Sequence, residues 1–273
     1  MEEGGSWRRR LLIGLGLVLL IVVATGWLAS SARTVEVQAQ AESILVINDA
    51  GPVRIRSGPS VDEAAAADLS DDVPSEGGAA GSIDLSGVVV RSTSSWLLRQ
   101  PDIESLSRGG ELVVRATCPS VLPCRVSLEV FVPLGIELTV VAANDLVQID
   151  SFDGSLLAFT GDEGVSLGSV TGSVSVVSEG PVRGTTLGPA ELTIEAIDDP
   201  VQLTYLDVPT VLAITAVNAP VTVELPADAS YAIDAEGDDV SVGVDADDLA
   251  DQRVSIRTGG RVIVEPTLTE PNE

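Results

Sequence analysis

LTVVAANDLVQI (138–149), LLAFTGDEGVSL (156–167), VSVVSEGPVRG (174–184), LTIEAIDDPVQL (192–203) and LAITAVNAPVTV (212–223) are five versions of one phrase. Each is a strand of alternating apolar and polar residues, a short turn rich in Gly, Asn, Asp or Pro, and a second alternating strand. Two looser versions follow, YAIDAEGDDVSV (231–242) and VSIRTGGRVIV (254–264). The first valine of the second strand falls at Val147, Val165, Val182, Val201, Val221, Val240 and Val262. A unit of about 20 residues made only of short strands and a turn cannot bury its own apolar face, so it must stack on its neighbours. The fold class this predicts is all-β, a β-solenoid of stacked short-strand repeats.

Side chains alternate across a strand, which fixes the inward set. The first rung turns Leu138, Val140, Val147 and Ile149 inward, with Thr139 and Gln148 outward. The next rungs place Leu156, Ala158, Val165 and Leu167, then Val174, Val176 and Val182, then Leu192, Ile194, Val201 and Leu203. Leu212, Ile214, Val221 and Val223 follow, and then Ile233, Val240 and Val242. At about 4.8 Å per rung, seven rungs give a core roughly 34 Å long. After Val182 the next inward position is Gly184, in a unit crowded by Gly180, Pro181, Gly188 and Pro189. A bulge or bend is expected there, with a ligand cleft as the sharper alternative.

Upstream, ILVINDAGPVRIRSG (44–58) matches the phrase with Leu45, Ile47, Val53 and Ile55 inward, as an earlier rung. Residues 59–82 carry six acids, no base and many Ala, Gly and Ser, the composition of a flexible insert. Strands resume with IDLSGVVVRS from Ile83, ELVVRA from Glu111 and VSLEVFVP from Val126, a segment suited to capping the stack.

The N-terminus reads differently. Leu11 to Ala32 is an unbroken run without charge, about 33 Å long as a helix and enough to cross a hydrocarbon core. Arg8, Arg9 and Arg10 precede it and only Arg33 follows closely, which puts the N-terminus in the cytoplasm and the rest outside. Trp7 and Trp27 lie near its ends, at the level indole rings prefer. A cleaved signal peptide is the alternative, although its apolar core usually has about 7–15 residues. The chain thus divides into a cytoplasmic tail (1–10), a transmembrane helix (11–32), a juxtamembrane segment (33–43), an exported β-repeat domain (44–266) and an acidic tail (267–273). Export also makes Cys118 and Cys124 a disulfide pair, worth roughly 2 kcal/mol for so short a loop. The spacing is not that of a CxxC redox or zinc motif.

Composition removes whole classes of function. All 15 basic residues are Arg, and the chain has neither Lys nor His. There is no histidine for a Ser-His-Asp or Cys-His nucleophile pair or a His-ligated zinc, and no Schiff-base or P-loop lysine. A net charge of -26 argues against nucleic acid as a partner. From Arg33 onward 12 Arg face 39 acids, which keeps open strand edges apart and repels anionic headgroups.

The remaining motifs carry little chemistry. Gly164-Val165-Ser166-Leu167-Gly168 matches GxSxG but lies within a β-repeat and has no histidine to serve it. Asp198 and Asp199, Asp238 and Asp239, and Asp245, Asp247 and Asp248 pair carboxylates, but a glycosidase needs them across a cleft with aromatic platforms, and Trp96 is the one Trp of the exported part. Turn capping is the expected role of these acids. Calcium is the alternative ligand, with neither the EF-hand nor the GGxGxD spacing to support it. No catalytic residue, cofactor or metal ligand is therefore assigned.

The order of these segments, a membrane helix, a strand pair ending GPVRI, then ELVVRATC, CRVSLEVFVPLG and the run of repeats, resembles a bacterial family described as putative adhesins, a domain of unknown function with β-strand repeats. The likeness spans Ile44 to Pro266. Family repeats carry Gly-Asp before the second strand, replaced here by Asn144-Asp145-Leu146, Glu163-Gly164, Gly180-Pro181, Asp199-Pro200, Ala219-Pro220 and Asp238-Asp239. The resemblance implies an exposed repeat domain anchored to the envelope and supplies no catalytic residues. The expected role is non-enzymatic, an adhesin or surface scaffold with an unidentified surface ligand or membrane partner. The alternative is an accessory ectodomain in envelope-stress sensing, acting through a partner membrane protein. The purified segment from Arg33 onward is expected to give a β-type far-UV circular dichroism spectrum, and substantial helix would contradict this reading.

Overall fold

A computed structural model describes residues 30–57, 87–97, 99–119, 123–188 and 190–267. Their regular structure is entirely β. Seven strands precede the clearest repeats: β1 (Ser30–Ala39), β2 (Ser43–Asn48), β3 (Val53–Ser57), β4 (Val88–Leu97), β5 (Asp102–Arg108), β6 (Glu111–Thr117) and β7 (Cys124–Val132). Then come β8 (Ile136–Ala142), β9 (Val147–Thr160), β10 (Val165–Ser178), β11 (Val182–Leu187), β12 (Ala190–Ala196), β13 (Val201–Tyr205), β14 (Val211–Ala216) and β15 (Val221–Leu225). The chain closes with β16 (Ala232–Glu236), β17 (Asp239–Val242), β18 (Arg253–Thr258) and β19 (Arg261–Pro266).

These strands form two parallel ladders. The first runs β6, β2, β8, the second half of β9, the second half of β10, β12, β14, β18 and β16. The second runs β7, β3, the first halves of β9 and β10, β11, β13, β15, β19 and β17. Antiparallel β5 borders β6, while β4 and then β1 border β7. Equivalent positions align from unit to unit: Leu138 with Leu156, Leu156 with Val174, Val174 with Leu192, Leu192 with Leu212.

The inward side chains of both ladders make one continuous core. Leu138, Val140, Val147, Ile149, Leu156, Ala158, Val165, Leu167, Val174, Val176, Val182, Leu192, Ile194, Val201, Leu203, Leu212, Ile214, Val221 and Val223 are each 2% exposed or less. Each such aliphatic side chain contributes about 1.5–3 kcal/mol when fully buried. Where the first ladder meets its turn the inward residue is small or polar: Ala116, Ala142, Thr160, Ser178, Ala196 and Ala216. The polar members are satisfied locally, as Thr160 Oγ1 donates to Ser178 Oγ at 2.8 Å and Ser178 Oγ to Gly180 O at 2.7 Å. Asn48, fully buried at the same position of β2, donates to Gly51 O (2.8 Å) and Val126 O (2.9 Å) and accepts from Ala50 N. Prolines stand just before second-ladder strands, where a missing N–H costs least. Their carbonyls carry the ladder onward, Pro181 O accepting from Val165 N and Pro200 O from Val182 N.

Two corners need special backbone. β9 and β10 pass unbroken from the second ladder to the first, and Gly172 turns that corner at φ +94, where a Cβ would run into Gly154 O of the rung beside it. At Gly184 the ladder shifts register before Leu187, and the buried Leu187 side chain fills the room the missing Cβ leaves. This is the expected bulge. Thr186, exposed, absorbs the extra residue at φ 57.

The structure departs from the sequence reading at several points. Stack order is not chain order: β2 and β3 lie between the β6–β7 and β8–β9 units, and β18 and β19 lie between β14–β15 and β16–β17. The outermost unit is thus β16–β17, where Val240 and Val242, expected inward and dry, are 42% and 41% exposed. Ile233 is only partly buried. An end rung is covered from one side, and this one, rich in Asp and Glu, is the least costly to leave wet. In β2 the phase is shifted by one: Ile44 and Val46 are buried, while Leu45 and Ile47 face outward. Ser30–Ala39 is strand, so the last three residues of the run read as helix, and most of the juxtamembrane segment, belong to the β domain. The rest of the membrane run, the tail before it, the insert at 59–82 and the end of the acidic tail lie outside the described residues. Among those described, no helix is long and apolar enough to cross a membrane.

Opposite effects are expected from two substitutions. Gly172→Ala should lower unfolding free energy by about 1–3 kcal/mol, while Thr186→Gly should raise it by about 1 kcal/mol by relieving the left-handed threonine. Urea denaturation of the two variants checks both signs.

Candidate functional site

The inward positions of the first ladder are spoken for by the core, so any site there must be made by the alternate positions. The strand registers align those positions in two rows. One reads Leu106, Val113, Leu45, Thr139, Leu157, Ser175. The other reads Glu104, Arg115, Ile47, Val141, Phe159, Val177, Glu195. Across β6, β2, β8, β9 and β10 the solvent side therefore carries Val113, Leu45, Ile47, Val141, Leu157, Phe159 and Val177. Leu106, 61% exposed, and Phe159, 38% exposed, are the most accessible. The stripe is roughly 19 Å long at the usual strand spacing. Beyond β10 the rows turn small and polar, through Thr193 and Ala213 in one and Glu195 and Thr215 in the other. A flat apolar patch with a polar rim on the water side of a sheet is the mark of an interaction surface.

The second ladder presents a charged outer face. Arg54 and Arg56 of β3 both reach Asp150 of β9, their Nε atoms lying 2.6 and 2.8 Å from Oδ2. Gln148 Nε2 donates to Asp150 Oδ1 at 2.6 Å, and Arg56 Nη1 lies 3.6 Å from Glu129 Oε1. Partial burial works to raise the Asp150 pKa, but the hydrogen bonds from Arg54, Arg56 and Gln148 outweigh it and hold the carboxyl below its ordinary value. The cluster ties β3 to β7 and β9.

The other singled-out residues fall into structural places. Cys118 and Cys124 are joined by a disulfide. Ser166 of the GxSxG match sits mid-strand, aligned with Gln148 and Arg183, with Val165 and Leu167 buried on either side. Asp198 accepts from Asn218, Asp245 from Ser230 Oγ and Asp247 from the Leu249 backbone, while Asp239 pairs with Arg261 at 3.1 Å. Among the described residues no group of three or more His, Cys, Asp or Glu is placed to hold a metal ion. Two tyrosines close the far part of the core. Tyr231 donates to Pro226 O at 2.9 Å, and burial with the nearby Asp228 carboxylate pushes its pKa up to about 12. Burial also raises Tyr205, whose hydroxyl has no hydrogen-bond partner.

No protein-family model and no curated protein matches the chain. Several solved structures resemble it, two of which are putative adhesion proteins. A putative adhesin from Parabacteroides merdae shares 9% identity at a TM-score of 0.44, covering 87% of this chain and 97% of that one. A putative cell adhesion protein from Clostridium sporogenes shares 9% identity at a TM-score of 0.30, covering 87% of this chain and 100% of its own. Likeness at that level carries no argument about what this chain binds, which rests on its own residues.

The Asp150 cluster makes a pH prediction. A carboxyl whose pKa is depressed by folding stabilises above its unfolded value, about 3.9, and that contribution is lost as pH falls through the folded value. Asp150→Asn should cost about 0.5–1 kcal/mol at neutral pH, given its partial exposure, and little in strong acid. Equal losses at both pH values in urea titrations would contradict it.

Proposed function

We propose that this chain is a single-pass membrane protein whose exported domain is a β-solenoid acting without catalysis, as an adhesin or surface scaffold. The observation that carries the reading is the apolar outer face centred on Leu157 and Phe159, which the fold itself does not need. Parallel, in-register pairing of each unit on the next supports the solenoid. The charge-free run from Leu11, flanked by Arg8, Arg9 and Arg10, supports an anchor with the N-terminus in the cytoplasm. The lack of any His or Lys supports a binding role over an enzymatic one. The partner this face suits is another macromolecule with a flat apolar patch, because a shallow stripe cannot enclose a small ligand.

Leu157→Asp combined with Phe159→Asp tests the reading, since both side chains point away from the core. Cross-linking in intact cells should lose its captured partner by about ten-fold while the β circular dichroism spectrum stays unchanged. Unaltered cross-linked products would refute the face as the binding surface.

A further inference from the structure

We propose that the corner formed by the start of β1, the end of β4 and the start of β7 rests on the headgroup layer of an anionic membrane, with Trp96 and Leu97 as its apolar contact. This rests on the reading of the N-terminal apolar run as a membrane anchor. The geometry begins with chain length. The charge-free run from Leu11 to Ala32 leads directly into β1, which starts at Ser30. Ser30 is paired with Leu97 and Ser31 with Trp96, and Trp96 is paired on its other side with Cys124. A strand advances about 3.4 Å per residue, so Trp96 and Leu97 are held within roughly one residue of the point where the run ends. A chain leaving a bilayer there places both side chains at the headgroup level.

The chemistry of the corner fits that position. Trp96 and Leu97 are half-buried, Pro123 is exposed, and with Arg125 and the disulfide residue Cys124 they line one shallow hollow. Trp96 is the one tryptophan beyond the apolar run, and an indole presents an apolar body and a polar N–H suited to the membrane interface. The charge pattern is the second, independent observation. In a chain with 41 acids there is no carboxylate in 30–35, 88–97, 99–101, 117–119 or 123–128, the described stretches at and around this corner. The same stretches carry Arg33, Arg91, Arg99 and Arg125, of which Arg91 lies 3.3 Å from Glu36. Arg125 lies 3.2 Å from Asp145, while Arg33 and Arg99 are exposed. The acids whose density opposes approach to anionic lipid are absent from these stretches. The domain would therefore stand on the bilayer by this corner, with its apolar outer face held at a fixed height above it.

The test uses the full chain with Trp7→Phe and Trp27→Phe, leaving Trp96 as its single tryptophan. It is reconstituted into vesicles of phosphatidylglycerol and phosphatidylcholine, with and without a nitroxide at the headgroup. Trp96 emission should fall about two-fold with the nitroxide, and Arg33→Glu with Arg99→Glu should restore most of it. Unquenched emission from protein that stays with the vesicles through an alkaline carbonate wash would overturn the docked corner and leave the anchor standing. Release by that wash would overturn the anchor and the corner together. Equal quenching in pure phosphatidylcholine would overturn the part assigned to anionic lipid.

Discussion

An inward valine or leucine of this protein is kept dry by the valine or leucine one rung away, and by little else. A strand pair of about 20 residues encloses no volume of its own, so burial exists only between copies. That dependence explains why the register is so regular through the middle of the stack. A slip of one residue would turn Leu156, Ala158, Val174 and Val176 to water together. It also accounts for the scarcity of aromatic side chains. The space between the ladders suits aliphatic residues, and the rings in that core are Phe152 at a corner and Tyr205 and Tyr231 towards one end.

Charge is arranged around that dry column. Acids occupy turns and outward positions, where they accept hydrogen bonds or pair across strands, as Asp239 does with Arg261 and Asp234 with Arg257. Such exposed pairs contribute little to stability. Their collective effect is to keep long open ladders from pairing with one another. The apolar stripe through Leu157 and Phe159 breaks this rule on one face, and the carboxylate-free corner at Trp96 breaks it at one end. Both exceptions lie in the N-terminal half of the stack.

What alternation reveals, it reveals well: from Leu138 to Val223 the inward residues could be read off by taking every second position on each side of a turn. It fails where the pattern is uniform. Ile44-Leu45-Val46-Ile47 is apolar throughout, and only the burial of Asn48, which holds the turn, sets its phase. The outer stripe was hidden for a related reason, because outward apolar residues are scattered in the chain and become neighbours only once five strands are aligned. β1 was masked by the membrane run that precedes it, although Val35, Val37 and Ala39 alternate with Thr34, Glu36 and Gln38. The exchanged order at the β16–β17 end leaves the acidic rung on the wet side, a comparison between rungs that no local pattern contains.

The exchange at the far end has an evolutionary consequence. Because β18 and β19 are wedged between β14–β15 and β16–β17, these strands are interior masonry and not the outermost course of the stack. A longer version of this rod can arise by duplicating units in its middle, between the two places where unit order is exchanged. The tip formed by β16 and β17 cannot be seated until β18 and β19 have been translated and have slid into place, so assembly of that end finishes from within.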